Sequence, residues 1–285
     1  MKKKSVSIMK NALIILSICL AAISSGCSGN KNTDAKKAIL MVHFGTTHDT
    51  TRALTIDAIN SQMENAFRES EVFEAYTSRI VIRKLKERGI EKHTPIQMLD
   101  SLKKAGYGTV TIQPTHIIPG KEYKMLIAEA DSIKKEFKEI KVGKPLLFSD
   151  EDLNAVVVIL ENRNPSTDPS HHILYVGHGT EDAATEIYVK ADSLFNANSH
   201  VATIEGIPTL EDAVTKLKEA GAKKVTLVPF MFVAGDHAVN DISVDWKNEL
   251  EIEGFQVELK IEGLGQIPAI RNLFLEHILA ARNSK

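Results

Sequence analysis

The sequence predicts an α/β protein of two similar Rossmann-like halves, each a short parallel sheet flanked by helices, with a cleft between them. Three observations predict it. From Ala38 onward short β-branched runs alternate with charged amphipathic stretches, the pattern of β-α-β units. The pattern then repeats: Leu102-Lys103-Lys104-Ala105-Gly106 before Val110-Thr111-Ile112-Gln113-Pro114 is echoed by Leu217-Lys218-Glu219-Ala220-Gly221 before Val225-Thr226-Leu227-Val228-Pro229. The composition, 43% hydrophobic and 25% charged over 285 residues with 16 Gly and 9 Pro, suits a chain that folds around a core and excludes a collagen-like or disordered one.

The chain opens differently. Met1 to Lys10 carries Lys2, Lys3, Lys4 and Lys10 and no acid, and Ala12 to Ile23 is apolar except for Ser17, the basic-then-apolar order of an export signal. That apolar run is shorter than the ~20 residues a membrane-spanning helix needs. Ser24, Ser25 and Gly26 lead into Cys27, a run that resembles the lipobox of bacterial lipoproteins, with Ser24 where that motif usually has Leu. The resemblance implies a signal peptide over 1–26 and a Cys27 thiol that is acylated and becomes the first mature residue. The protein is then expected to be exported and held at the membrane, on the periplasmic or cell-surface side, through its lipid anchor only. Ordinary cleaved secretion and an uncleaved anchor are the alternatives.

Removing 1–26 takes away four Lys and Cys19 and leaves 31 basic against 37 acidic residues, a net of −6. With Cys27 as its one cysteine, the mature chain forms no internal disulfide and offers no thiolate metal site. An acidic balance without a basic run argues against a nucleic-acid partner. Residues 27–37 read as a flexible polar tether.

Beyond the tether, Ile39-Leu40-Met41-Val42 is a buried strand ending in His43-Phe44-Gly45-Thr46, and Ile173-Leu174-Tyr175-Val176 ends in Gly177-His178-Gly179-Thr180. In both copies of the longer echo a helix stops at a Gly cap and a strand runs to a Pro. Gly120 and Gly235 follow at matching distances. Asn162 to Ser170 is loop-like, so the N-terminal half is expected over 38–165 and the C-terminal half over 166–285. The last helix, with apolar Ile270, Leu273, Phe274 and Ile278, is a packing helix with the option of lying on the N-terminal half.

The two copies can be compared with each other. Phe44 of the first corresponds to His178 of the second, and Glu122 to His237; both positions lie just past strand ends, where open parallel sheets hold ligands. The C-terminal half is therefore expected to carry the chemistry. Glycines on both sides leave the His178 imidazole accessible; its plain reading is a turn histidine bonded to a neighbouring carbonyl. His237 follows Ala234-Gly235-Asp236, with Asp236 and Asp241 as candidates to orient it. Glu205 lies in Thr203-Ile204-Glu205-Gly206-Ile207-Pro208, where a solvated glutamate would be ordinary. Together they make a two-histidine, one-carboxylate set that suits a borderline divalent ion such as Co²⁺, Fe²⁺, Ni²⁺ or Zn²⁺, with positions open to a substrate.

At these residues the sequence resembles a known family. The run Phe230-Met231-Phe232-Val233-Ala234-Gly235-Asp236-His237-Ala238-Val239-Asn240-Asp241, the Gly177-His178-Gly179 turn, Glu205, and Phe44-Gly45-Thr46 with Asp49-Thr50 and Thr55-Ile56 resemble the anaerobic sirohydrochlorin cobaltochelatases. These are class II tetrapyrrole chelatases, related in fold to ferrochelatase. Ile82-Arg83-Lys84-Leu85, His116-Ile117-Ile118 and Gly263-Leu264-Gly265 match as well, and the resemblance runs from about Ile39 to Leu279.

The resemblance implies a chelatase-like cleft and an enzyme, a lyase that inserts Co²⁺ into sirohydrochlorin in anaerobic cobalamin biosynthesis and releases two protons. Fe²⁺ or Ni²⁺ are the other candidate substrate metals, and no organic cofactor is required. It further implies that His178, Glu205 and His237 bind the metal and that His178 accepts a proton, work suited to a neutral imidazole. The expected partners are sirohydrochlorin or a related tetrapyrrole and a divalent metal, with a homo-oligomer as an option. Substrate contacts are expected from Thr46, Arg83, His116, Lys121 and Asp182. The tetrapyrrole's many carboxylates call for cations, and Asp182 stands in Glu181-Asp182-Ala183, where relatives carry a His. His116 has the plain alternative of a partly buried histidine bonded to backbone. The export signal supports one alternative function, an exported lipoprotein that binds haem, another tetrapyrrole or metal without turnover.

Overall fold

In the first half of the computed structural model, which describes residues 35–235 and 238–284, the elements are β1 (Lys36–His43), α1 (Asp49–Arg52), α2 (Ala58–Ala66), β2 (Glu71–Tyr76), α3 (Arg79–Glu87), α4 (Pro95–Lys104), β3 (Tyr107–Pro114), α5 (Lys121–Ile133) and β4 (Glu139–Val142). Helix α6 (Asp150–Arg163) leads into β5 (His171–Gly179), α7 (Glu186–Leu194), β6 (Ser199–Glu205), α8 (Leu210–Glu219), β7 (Lys224–Pro229), α9 (Lys247–Ile252), β8 (Gln256–Leu259) and α10 (Pro268–Asn283). Each half forms a four-stranded sheet, in the orders β2-β1-β3-β4 and β6-β5-β7-β8, with every pairing parallel. The same winding is thus used twice, as the repeat predicts. Cys27 and the rest of the leader and tether read from the sequence up to residue 34 lie outside the described residues.

Local chemistry sets the ends of these elements. Thr94 and Gln97 close a capping box on α4, and Thr209 and Asp212 close one on α8. Both helices stop just before a glycine with positive φ, Gly106 at 82° and Gly221 at 75°, a conformation that costs other residues a Cβ clash. The first strand begins at Lys36, two residues inside the segment read as tether. Lys36 pairs with Tyr107, and its ammonium lies 5.3 Å from that ring's centroid, so a lysine that looks solvated in sequence is fastened to β3.

Alternate residues of the central strands serve two cores. Ala38, Leu40 and Val42 of β1 face a cluster under α4 and α5, and Leu174 and Val176 of β5 face a cluster under α8 and α9. Ile39, Met41, Ile173 and Tyr175 turn the other way, into one shared cluster with Leu153, Val156 and Leu160 of α6 and Ile270, Phe274 and Ile278 of α10. Helix α10 packs against α2, β3 and β4 of the first half as well as α6. Near its end Arg282 donates to Thr111 Oγ1 (3.2 Å), Glu69 Oε1 (2.6 Å) and Ser70 Oγ (2.8 Å) and covers the Phe67 ring.

A buried polar chain crosses the first half. His43, fully buried, has Nδ1 3.0 Å from Thr115 Oγ1 and Nε2 3.1 Å from Asn60 Oδ1. Asn60 Nδ2 donates to Glu74 Oε2 at 3.0 Å, and Glu74 also accepts from Arg52 (3.0 Å) and Lys92. Because the Asn60 amide nitrogen is committed to Glu74, its oxygen accepts from His43 Nε2–H, leaving Nδ1 to accept from Thr115. Burial, partly offset by Glu74 and Asn60, pushes the His43 pKa down to about 4.

The unfolded chain therefore takes up a proton that the native ring refuses. The stability linked to His43 is whole above its unfolded pKa of about 6.5 and drains as pH falls toward about 4, by about 1.4 kcal/mol per pH unit. Urea unfolding of the wild type at pH 7 and pH 5 should show a loss about 2 kcal/mol larger than the same comparison on His43→Gln; equal losses would contradict this role.

Candidate active-site cleft

The carboxyl ends of both sheets open on one cavity of about 910 Å³, the position at which parallel sheets collect ligands. The first half supplies Phe44, Thr46, Ile80, His116, Lys121 and Met125 to its wall, and the second supplies His178, Glu181, Asp182, Tyr188, Glu205 and Phe232. Of the residues expected at the site, the structure brings Thr46, His116, Lys121, His178, Asp182 and Glu205 to this one cavity. His237 lies outside the described residues. Among the described residues, no group of three or more His, Cys, Asp or Glu side chains is arranged to hold a metal ion.

Glycines place His178 beside Glu205. A Cβ on Gly177 would stand 2.6 Å from Tyr188 Cε1, so that ring fills the space a side chain would take. Gly179 has φ 78° and pairs with Glu205 across β5 and β6, and a Cβ there would stand 1.7 Å from the Glu205 carbonyl oxygen. Only glycine lets β6 approach so closely. The plain reading of His178 also holds, since its Nδ1 lies 3.2 Å from the Gly179 carbonyl oxygen. A carbonyl only accepts, so Nδ1 carries the proton and Nε2 of the neutral ring carries the lone pair, the arrangement a metal-binding or proton-accepting imidazole needs.

The segment leading toward residue 237 is fixed from both halves. Leu264 N donates to Met231 O (2.8 Å), Gly265 N to Phe232 O (3.0 Å), and Thr51 Oγ1 to Ala234 O (3.3 Å). Gly263 lets this contact close, because a Cβ there would be 2.6 Å from Phe232 O.

The remaining candidates differ in their surroundings. Thr46 is buried and accepts from His48 N at 3.2 Å. Lys121 is exposed at the start of α5. Asp182 is held by Lys124 at 2.8 Å, across the two halves, and by Ala184 N at 2.8 Å; these two bonds, in that order, hold its carboxyl below the usual range. Its oxygens are thus engaged in structure. His116 is enclosed in the wall, and its ring nitrogens have no hydrogen-bond partner. Burial and then the nearby His43 push its pKa down to about 4, so the ring is neutral.

Arg83 is not part of the cavity wall. It is exposed on α3, two positions from both Val81 and Leu85, whose buried side chains face the core, so helical spacing turns it to the opposite side. Arg52, another cation in the first half, is paired with Asp57 and Glu74.

Two wall residues, Ile80 and Met125, carry no sign of the site in the sequence, and Phe44 is marked there only by the repeat and the family motif. Phe44, Ile80 and Met125 are 41%, 58% and 51% exposed, large apolar groups lining the mouth. Ile80 and Met125 each sit next to a buried residue of an amphipathic helix, Val81 and Leu126, so they look like the margin of a core stripe. Among the described wall residues the acids Glu122, Glu181, Asp182 and Glu205 outnumber the bases Lys121 and Lys124, a field that draws cations inward.

Gly179→Ala is expected to move Glu205 relative to His178 and to weaken divalent-cation binding at least tenfold, read by titration calorimetry, alongside a loss of stability. Gly221→Ala is the control. It has the same sign of φ but nothing within 4 Å of the added Cβ, so it should cost about 1–2 kcal/mol and leave cation binding unchanged. Equal binding in the two variants would sink the coupling.

Comparison with known proteins agrees with this geometry. The sequence model of the family described as cobalt chelatase (CbiK) matches residues 37–283. The chain is 34% identical over 256 residues to the sirohydrochlorin cobaltochelatase of Salmonella typhimurium, across 87% of this chain and 97% of that protein. It is 27% identical over 256 residues to the sirohydrochlorin cobaltochelatase CbiKC of Nitratidesulfovibrio vulgaris, across 86% and 90%. Its fold is similar to SirB from Bacillus subtilis with Fe³⁺ (TM-score 0.62, 15% identity, 87% of this chain and 96% of that one). A second SirB structure, from Bacillus subtilis subspecies spizizenii in complex with cobalt, gives a TM-score of 0.58 at 15% identity over 87% and 96%. With an α/β fold of two parallel four-stranded sheets and a family match over nearly all of its described residues, the chain belongs to the CbiK cobalt chelatase family.

Proposed function

We propose that the protein is a sirohydrochlorin cobaltochelatase, a lyase that inserts Co²⁺ into sirohydrochlorin and releases the two pyrrole protons. The observation that carries this reading is the His178–Gly179–Glu205 arrangement on the wall of a cavity of tetrapyrrole size. Fe²⁺ and Ni²⁺ suit the same donors, and the chemistry calls for no organic cofactor.

The proposed ligands of the incoming metal are His178, Glu205 and His237. Nitrogen and carboxylate donors collect a borderline ion without trapping it as thiolates would. The Nε2 lone pair of His178 accepts a pyrrole proton as the metal replaces it, and the acidic excess of the wall favours both the entry of the cation and the protonated imidazole that forms. Phe44, Ile80 and Met125 offer apolar surface to the macrocycle, and Lys121 a cation to its carboxylates. Thr46 and His116 complete the proposed contacts, and Asp182 acts there with Lys124.

The proposal places the enzyme outside the cytoplasm as a lipoprotein acylated at Cys27. Its support is the basic and apolar order of residues 1–26 and the small residues before Cys27. No helix among the described residues is long and apolar enough to cross a membrane. The same leader favours the alternative of a tetrapyrrole carrier without turnover.

Absorbance during mixing of the mature protein with sirohydrochlorin and Co²⁺ separates the two. Insertion well above the uncatalysed rate is expected, with a loss of about 10²-fold or more in His178→Ala. Uncatalysed rates in the wild type, with tight stoichiometric haem binding, would replace the enzyme by the carrier.

A further inference from the structure

His116 is not explained by folding. It lies two residues past the end of β3, and both ring nitrogens are buried without a hydrogen-bond partner. Buried polar atoms are nearly always paired, because an unmade bond leaves the cost of dehydration uncompensated. An apolar side chain of similar size would suit a mere wall better.

Its neighbours have other commitments. Thr115 Oγ1 is bonded to His43 at 3.0 Å. The carbonyl of His116 itself accepts from Leu146 N at 2.9 Å, and that of Ile117 from Leu147 N at 2.8 Å, so the backbone on which the ring sits is anchored. Turning the ring about its own side-chain bonds breaks no hydrogen bond. The ring is neutral and holds one lone pair, the form in which imidazole binds metals.

The place of His116 in the cavity gives that lone pair a target. His116 belongs to the wall of the first half and His178 and Glu205 to the wall of the second. A flat macrocycle held between the halves would present one face to each. Once a divalent ion has entered the ring from the side of His178 and Glu205, an axial position remains on the other face, and a neutral nitrogen is a good donor to such ions.

Resting on the chelatase reading of the site, we propose that His116 is the axial nitrogen ligand of the metallated tetrapyrrole, on the face turned away from His178. One bond forms, from the imidazole lone pair to the metal; no proton moves and no metal oxidation state changes. The bond draws the ion into the ring and away from the donors that delivered it.

The test uses preformed cobalt(II)-sirohydrochlorin added anaerobically to the mature protein, so that binding is read without turnover. Electron paramagnetic resonance should show the triplet splitting of a single axial nitrogen on the cobalt lines. The splitting should vanish in His116→Ala and His116→Leu and persist in His178→Ala. Added imidazole should restore it in His116→Ala, and the product should bind at least tenfold more weakly to both His116 variants. His116→Leu should unfold at the same or a higher urea concentration than the wild type, an outcome that a purely structural histidine would not give.

Splitting that survives in the His116 variants, splitting that vanishes only in His178→Ala, or no splitting or product binding in the wild type would each overturn the proposal. Insertion of Co²⁺ by the wild type without an axial nitrogen signal rejects the ligand and retains the chelatase. The signal without insertion supports the ligand and rejects the chelatase.

Discussion

Ile39 and Met41 on one sheet and Ile173 and Tyr175 on the other bury in a single apolar layer with residues of α2, α3, α6, α7 and α10, and this shared layer governs the rest of the architecture. A parallel sheet must be covered on both faces. Each half covers its outer face with its own helices, but neither covers its inner face alone. The repeat therefore yields two sheets and one indivisible core, and the carboxyl ends of both sheets meet at a single cavity.

Within that frame the two copies have diverged in chemistry while keeping their backbone. The end of β1 carries His43, which turns inward, lies 6.1 Å from the Phe232 ring in a stacked arrangement and closes a polar chain to Glu74. The end of β5 carries Gly177, His178 and Gly179, which admit Tyr188 and the Glu205 backbone and present an imidazole to the cavity. One histidine thus supports the floor between the halves, and the other meets the cavity. The segment Met231 to Ala234, held from both sides, joins these two environments.

The parts of this arrangement that depend on neighbours in sequence were legible there. The strand ends at Pro114 and Pro229, the glycine stops at Gly106 and Gly221, and the turn around His178 follow from backbone geometry that a few residues determine. The parts that depend on distant partners were not. Lys124 and Asp182 are 58 positions apart, and Asn60 and Glu74 meet through the packing of α2 against β2, not through any periodicity. Charge alone suggested Arg83, while the phase of α3, fixed by Val81 and Leu85, was the information that mattered. The burial of His116 could not be inferred from a histidine two residues past a strand, because its environment is made by the other elements of the cavity.

Helix α10, the last 16-residue element, lies on α2, β3 and β4 near the beginning of the chain, with Arg282 bonded to Glu69, Ser70 and Thr111. This wiring bears on the order of assembly during synthesis. Domains generally form from the amino end as the chain emerges from the ribosome. Here the first half can pair its strands and lay α2 and α3 against its sheet early, but the inner layer stays incomplete until the final helix has left the tunnel. The nascent first half must wait with apolar surface exposed, and a truncation that removes α10 would uncover β3 and β4 of the earliest-made sheet, far in sequence from the cut.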